Sequence, residues 1–299
     1  MNAPISLALP VLRRRLGGRL GFLLLSLLYA GLVMLCLWTF AASGDLSSGR
    51  SPLANLAKTA SEFAHPSFLD VWFGNPQLEY RSDDGSVLRV EDRRQVEADY
   101  LVQLAAATWT TFRIATLGSL LGALIALPLG LLTARNLGAP QALAWGAKGL
   151  LDGARAIHTL VFGLVLVGIV GLGPTAGILA IAFHSSGTYG KLFAEAIESL
   201  DMAAIEAVRG VGASPPQVFF TAIWPAVLPQ FVSSHLYLWE FNIRDSTILG
   251  IVGAGGLGLL ITEATSLFQW GRLSTVLIVV VLLVASFDAL SRRIRKALL

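Results

Sequence analysis

Charged residues are scarce in this sequence. Asp, Glu, Lys and Arg make up 14% of its 299 residues, and hydrophobic residues make up 55%, whereas a typical soluble domain carries about 25% charged residues. So little polar surface cannot cover a soluble globule of this length, which indicates a polytopic membrane protein. The formal net charge is +3, but Lys and Arg cluster at the ends of hydrophobic segments, where they orient membrane helices. We therefore expect membrane lipid, and no nucleic acid, as a partner.

Cysteine and metal-ligand patterns are also lacking. The one cysteine, Cys36, lies within an apolar run, which excludes an internal disulfide and a Cys-based metal cluster. The four histidines are scattered without the spacing of metal ligands. We predict no metal site in this chain.

The first long hydrophobic run covers about residues 20–42 and follows Arg13, Arg14, Arg15 and Arg19. It reaches the roughly 20 residues needed to cross a bilayer, whereas the apolar core of a cleavable signal peptide has about 7–15. We expect residues 1–42 to form a cytoplasmic N-terminus and a retained first transmembrane helix, because the arginines precede the run.

Residues 43–103 are polar and should lie outside, as a periplasmic segment that ends in a short amphipathic helix against the membrane. Residues 104–299 form a core with five further spans. We place these at 104–134, on each side of the GLGP turn (171–174) within 156–190, from about Pro225, and at 274–290. The sequence thus predicts an all-α membrane protein with about six transmembrane helices and both termini in the cytoplasm, because RRIRK follows the last span.

Two glycines in the second span predict a close helix contact. Gly118 and Gly122 are four residues apart, as in the small-xxx-small pattern that lets membrane helices approach closely.

The polar segment 191–225 should form a cytoplasmic loop with two short helices. Gly212 suits the left-handed position after a helix, and Ser214 suits an N-cap, with Gln217 as the reciprocal acceptor of a capping box. The second helix should end before Pro225. A compact helical pair between membrane spans is typical of a docking element, although an ordinary structured loop is the simpler alternative.

At these residues the sequence resembles the transmembrane subunits of type I ABC importers, which carry an EAA loop. Glu206, Ala207, Gly212 and Pro225 match its pattern, whereas Val208, Ala222 and Trp224 depart from it. In that family the loop inserts into a cleft of a separate ATPase subunit. The resemblance therefore implies an ATPase-coupling role for Glu206, Ala207, Gly212 and Ser214.

The resemblance narrows to the phosphonate importer permease, the PhnE family, over residues 100–291. It depends on GLGPTAGILA, on the loop and on YLWEFNIRDSTILGIVGAGGLG. It implies a homodimer in a bacterial inner membrane, two ABC ATPase subunits that hold ATP and Mg²⁺, and a periplasmic phosphonate-binding protein. It implies no cofactor and no catalysis in this chain.

Three charged residues fall within the fifth span: Glu240, Arg244 and Asp245. Ionisable groups at membrane depth normally face protein or a wet cavity. Glu240 and Arg244 are four residues apart, so they can pair on one helix face, and such a pair could simply neutralise itself. The functional hypothesis is a polar path for a phosphorus oxyanion, lined by Glu240, Asn242, Arg244, Asp245, Ser246 and Thr247.

The segment GIVGAGGLG contains the G-x-G-x-x-G fingerprint of dinucleotide-binding folds. That fingerprint requires a preceding strand within a βαβ unit, and here it follows a membrane helix. We predict instead a kink or gate in the path, formed by Gly253, Gly255, Gly256 and Gly258.

Competing functions remain open on the sequence alone. Phosphite is the neighbouring substrate, and metals or amino acids are more distant ones. An ion-coupled secondary transporter could use Glu240 or Asp245 as its carrier carboxylate, but it would need no docking loop. A membrane enzyme is disfavoured because the sequence offers no catalytic constellation.

Overall fold

A computed structural model describes residues 9–43, 52–74, 77–81 and 87–298. They form twelve α-helices and two strands: α1 Leu9–Ala42, α2 Pro52–Phe63, α3 Asp70–Phe73, β1 Gln77–Arg81, β2 Val87–Asp92, α4 Arg93–Thr133, α5 Gln141–Ala156, α6 Thr159–Val170, α7 Pro174–Glu198, α8 Met202–Gly210, α9 Pro215–Val218, α10 Trp224–Leu249, α11 Leu257–Ser266 and α12 Trp270–Leu298. The chain divides into two compact units, the first ending at Lys58 and the second beginning at Thr59. The first unit contains α1, whose described side chains are all exposed. The side chains of the four arginines that we expect to orient this helix lie outside the described residues.

Within the described residues, three helices are long and apolar enough to cross a membrane: Gly21–Ala42, Arg93–Thr133 and Trp270–Lys296. Two bent helix pairs, α5 with α6 and α10 with α11, raise this number to five if each pair is one span. The sequence predicted six. The difference is α7, which is rich in Gly, Ala and Ser and buries much of its surface against other helices, so it has little need of apolar side chains toward lipid.

The segment before the GLGP turn is not one straight span. α5 ends at Ala156 and α6 begins at Thr159, with a bend of 94° between them. The imidazole Nδ1 of His158 accepts the Leu160 N–H at 3.2 Å and caps α6. The 12-residue α6 is about 18 Å long, too short for a bilayer core of about 30 Å, so it can cross only together with α5, as a bent pair, and not as the separate short span that the sequence predicted.

The second span begins earlier than predicted. α4 starts at Arg93, and the carboxylate of Asp92 accepts the Arg94 N–H at 2.9 Å as its N-cap. Its charged first turns are held by ion pairs from Arg93 to Asp70 at 2.6 Å and from Arg272 to Glu97 at 3.1 Å.

Strands β1 and β2 form a two-stranded antiparallel sheet just before α4, with Gln77 opposite Asp92 and an irregularity after Tyr80. The all-α prediction missed this hairpin, which is local and adds no layer to the helical core. Helical structure dominates the described chain, as expected of a helical membrane protein.

The most extensive helix contact in the core joins α4 to α7. A Cβ added at Gly118 would lie 2.7 Å from Cβ of Ile181, and one at Gly122 would lie 3.0 Å from the carbonyl oxygen of Ala182. Only a residue without a side chain permits this approach, so the predicted small-xxx-small contact is confirmed.

Candidate functional site

The predicted coupling residues lie on an exposed surface between α7 and α10. α8 begins after Asp201, whose carboxylate accepts the Ala203 N–H at 3.0 Å. Ile205 is buried, whereas Glu206 and Ala207, the next two residues, are exposed. Ile205 therefore anchors α8 to the core, and the Glu206 carboxylate on the exposed side is accessible to another protein.

The turn after α8 has the predicted backbone geometry. Gly212 has φ +84°, and its N–H donates to the Arg209 carbonyl at 2.9 Å. The Ser214 N–H donates to Oε1 of Gln217 at 2.8 Å, which is the reciprocal bond of a capping box. Gly212 and Ser214 are both exposed, so they extend the surface formed by Glu206 and Ala207.

The helix after this turn does not end before Pro225, so that prediction is wrong. α9 continues through a wide π-helical turn, Phe219–Ile223, into α10. Pro225 lies in the first turn of α10, directly after this wide turn, and the helix continues through it. Pro229 lies within α10.

An apolar cluster lies beneath the exposed surface that Glu206, Ala207, Gly212 and Ser214 form. It joins the end of α7 to α8, α9 and the start of α10, and its buried members are Ala134, Phe193, Ala194, Ile197, Ile205, Val218, Ile223 and Val227. Val208, Ala222 and Trp224, which depart from the EAA pattern, pack against this cluster. Because they act as packing residues, their identity can change while the exposed surface is kept.

Glu240 and Arg244 share one face of α10, as their spacing predicted. The Arg244 guanidinium lies 3.7 Å from Oε1 of Glu240, and the side chains are 50% and 17% exposed, respectively. Together with Val280, Val284 and Asp288 of α12 they line a groove of ≈370 Å³. The predicted pairing is confirmed, and half of the arginine surface is still accessible.

Asn242 faces the interior of the subunit instead. Its amide nitrogen donates to Oγ of Ser119 on α4 at 2.8 Å, and its amide oxygen accepts from Oγ of Ser185 on α7 at 3.0 Å. The side chain is buried. Asn242 therefore links α10 by hydrogen bonds to both α4 and α7.

Asp245, Ser246 and Thr247 are also buried. The Asp245 carboxylate accepts a hydrogen bond at 2.7 Å from Thr159, the first residue of α6. The hydroxyls of Ser246 and Thr247 donate to the carbonyl of Ile243 at 2.8 and 3.3 Å. At about 100° per residue, Asp245 and Ser246 point away from the face of Arg244, and Thr247, although near that face, is buried. Of the six predicted path residues only Glu240 and Arg244 line the groove; a path role for the other four remains a prediction.

The glycine segment forms a true break after α10. Gly253, Gly255 and Gly256 have φ of +100°, +82° and +71°, and the helices on either side meet at 60°. The predicted kink is confirmed, and its role as a gate remains a prediction. Because the segment follows a helix and not a strand, it lacks the setting that the dinucleotide fingerprint requires.

Gly258 serves a different purpose, since it lies within α11. A Cβ there would lie 2.6 Å from Cα of Gly250 and overlap the carbonyl oxygen of Thr247. The start of α11 thus packs directly on the end of α10. Gly250 was missed as a site residue, although it opens the same glycine-rich run.

The glycine segment also meets the GLGP turn, a contact that sequence reasoning did not foresee. The Gly173 N–H donates to the Gly253 carbonyl at 2.9 Å, and a Cβ at Gly253 would overlap Leu172. On the other side, the Leu257 N–H donates to Oγ1 of Thr111 at 2.8 Å. Two motifs far apart in sequence therefore build one structural unit.

Metal ligands do not converge in the described part of the chain, where no group of three His, Cys, Asp or Glu residues could hold an ion. His158 and His184 have ring centroids 6.2 Å apart, and Nδ1 of His184 lies 2.8 Å from the Ile157 carbonyl oxygen.

Known proteins resemble the part of the chain that contains most of these features. Residues 126–299 match the family model described as binding-protein-dependent transport system inner membrane component. The chain is 39% identical to phosphite transport system permease protein PtxC of Stutzerimonas stutzeri over 187 residues, covering 62% of this chain and 68% of that protein. It is 39% identical to phosphate-import permease protein PhnE of Mycolicibacterium smegmatis over 197 residues, covering 66% and 37%. A chain from the inward-facing MetNI methionine ABC transporter superposes with a TM-score of 0.61 at 24% identity, covering 67% of this chain and 98% of that one, which shows a shared fold.

Proposed function

The chain belongs to the family of binding-protein-dependent transport system inner membrane components, and we propose that it is the permease subunit of an ATP-driven importer for phosphorus oxyanions, phosphonate or phosphite. The main support for this proposal is the similarity of the core of the chain to permeases named for phosphite and phosphate transport. The chain is a multi-pass, non-catalytic membrane subunit. In this proposal ATP is hydrolysed by two separate ABC ATPase subunits, in a bacterial inner membrane.

The coupling surface, formed by Glu206, Ala207, Gly212 and Ser214, would dock the ATPase. Its exposed carboxylate can make charge-assisted hydrogen bonds with a partner, and its base is the apolar cluster shared by α7, α8 and α10. Packed interiors transmit displacement with little compression. A movement of the ATPase at Glu206 would therefore shift α7 and α10 together.

The groove at Glu240 and Arg244 would contribute to the substrate path. A guanidinium binds an oxyanion through two parallel hydrogen bonds, and half of the Arg244 side chain is exposed for this purpose. The Glu240 carboxylate reduces the net positive charge at Arg244, so that an anion binds weakly and is released along the path. In a homodimer two such faces would act on one anion.

The buried polar residues Asn242 and Asp245 would make α10 move as a block with α4, α6 and α7, because their hydrogen bonds reach each of these helices. At the external end, the glycine break would act as the gate. A soluble periplasmic binding protein would deliver phosphonate or phosphite there.

The experiment is ATP-driven uptake of methylphosphonate and phosphite by proteoliposomes that contain the complex with Arg244→Lys or Arg244→Ala. We expect uptake to fall about tenfold or more in Arg244→Ala, since a bond to a charged group is worth about 1.5–3 kcal/mol, and to fall less in Arg244→Lys. Folding should be unaffected because the side chain is half exposed. Wild-type uptake in both variants would contradict the path role.

Substrate class is tested separately, with the partner binding protein. Isothermal titration with phosphonates, phosphite, phosphate, methionine and divalent metals should show binding of phosphorus oxyanions. Tight binding of methionine or a metal alone would favour an importer for another small solute.

A further inference from the structure

A second charged cavity lies at the opposite end of the core from the glycine break. It has a volume of ≈380 Å³ and lies between the end of α4, the helix α5 and the last turns of α7. Four basic side chains line it: Arg135, Lys148, Arg155 and Lys191. It adjoins the coupling loop, because α7 ends at Glu198 and α8 begins at Met202.

The acidic side chains of this cavity already have partners. Asp152 pairs with Arg155 at 2.7 Å, and Glu195 pairs with Lys191 at 3.6 Å. Oε1 of Glu198 accepts the backbone N–H of Arg135 at 3.0 Å.

Four cations and three carboxylates leave the cavity with one surplus positive charge, 4 − 3 = +1. Among the described residues, the side chains of Lys148 and Arg135 form no ion pair. The pair of Arg155 with Asp152 and that of Lys191 with Glu195 are about half exposed, so they contribute little and can rearrange. The cavity thus suits an anion with a single negative charge.

The helix that forms one wall is amphipathic. α5 buries Ala147 and Leu151 against the core, and it exposes Leu143, Trp145 and Leu150 by 56%, 71% and 67%. An exposed Trp beside basic residues is typical of the membrane–water interface. The cavity therefore opens at the level of the lipid headgroups, next to the exposed Trp145, which lies three residues before Lys148 on α5.

We propose that this cavity binds a singly charged phosphate oxyanion, supplied by the headgroup of an anionic phospholipid of the cytoplasmic leaflet. Basic cavities between membrane helices on this side are suited to acidic headgroups. Lys148 and Arg135 contact the phosphate, and the exposed indole of Trp145, three residues before Lys148, contacts the acyl chains. Free inorganic phosphate shares the headgroup chemistry but makes no use of this indole.

A bound headgroup would stiffen the junction with the coupling loop. Nδ2 of Asn136, next to Arg135, donates to the Ile197 carbonyl at 2.7 Å and contacts Sδ of Met202 at 3.5 Å. The site is thus mechanically linked to α8 and distinct from the substrate path. It goes beyond the proposed transport function and does not depend on the identity of the substrate.

The test is native mass spectrometry of the full chain, released from nanodiscs of phosphatidylcholine with phosphatidylglycerol. We expect the wild type to retain phosphatidylglycerol, and Arg135→Ala with Lys148→Ala to bind it at least about tenfold more weakly, because each change removes a bond to a charged group. Lys148→Arg should retain it. The matched control is Arg293→Ala with Arg295→Ala at the end of α12, which changes net charge equally outside the cavity and should retain the lipid.

Each outcome decides the proposal. Equal retention by the cavity variant and the wild type would overturn it, provided that both elute as one monodisperse species. If the double variant does not fold, Lys148→Ala alone is compared with Arg293→Ala. Inorganic phosphate is the second arm: if it displaces the lipid and raises the Tm of delipidated wild type as much as phosphatidylglycerol does, the lipid source is overturned; no effect of phosphate supports it.

Discussion

The helical stretch from α9 to α11 is interrupted twice, and the two interruptions differ in kind. The first interruption, Phe219–Ile223, is a wide turn that keeps the helix direction and carries no positive φ. The second interruption, Gly250–Gly256, contains three glycines with positive φ and bends the helix by 60°. The first is packed onto the apolar cluster below the coupling surface, whereas the second is held by close backbone contacts.

In this stretch, glycine and not proline changes the helix direction. Pro225 follows a packed turn, and the helix continues past it without a change of direction. The glycines have conformations that other residues rarely adopt, so the break is built into their backbone. One end of α10 should therefore transmit movement and the other should permit it.

The largest effect should come from Gly258→Ala, at the contact of α11 with α10. The new Cβ would overlap the Thr247 carbonyl oxygen, and we expect a loss of about 2–3 kcal/mol in stability, because a backbone atom cannot move aside. Thermal unfolding in detergent measures this. The control is Gly146→Ala in α5, where no atom lies within 4 Å; it should be neutral or stabilise by up to about 1 kcal/mol. Equal effects at both sites would contradict the close contact.

A smaller loss of stability is expected from Gly255→Ala, where no atom lies within 4 Å of the added Cβ. The φ,ψ of +82°, −161° at this residue belong to a region nearly restricted to glycine, with a cost of about 1–3 kcal/mol for another residue. Uptake should fall, while binding of the ATPase, measured by co-purification, should be unchanged. Loss of ATPase binding instead would assign this glycine to assembly.

The smallest effect should come from Pro225→Ala, next to the first interruption. The residue lies in the first turn of α10, so stability should change by less than about 0.5 kcal/mol, and uptake should stay near wild type. A strong loss of uptake with an unchanged Tm would mean that this interruption also acts as a hinge.

Local signals in the sequence were sufficient for the coupling surface. Gly212, and Ser214 with Gln217, follow from cap chemistry, which depends on neighbours within a few residues. The pairing of Glu240 with Arg244 follows from helical spacing. The kink at Gly253 follows from the tolerance of glycine for positive φ.

The remaining features depend on which helix face meets protein and which meets lipid. Both surroundings are apolar, so hydrophobicity alone does not separate them. For this reason the burial of Asn242 against Ser119 and Ser185 was not foreseen, and α7, with its polar buried face, did not stand out as a central helix. The contact of Gly173 with Gly253 joins segments distant in sequence, which no local pattern reports.

The central claim is that this chain converts ATPase movement, received at Glu206, into import of a phosphorus oxyanion. The most direct measurement is uptake of phosphite and methylphosphonate by proteoliposomes that contain the wild-type or Glu206→Ala complex with its ATPase and binding protein, with and without ATP inside. The account predicts uptake only with ATP, and a loss of uptake in Glu206→Ala with the fold unchanged. Uptake that proceeds without ATP would contradict it and favour an ion-coupled transporter, and ATP-driven uptake that is unchanged in Glu206→Ala would contradict the coupling role of that residue.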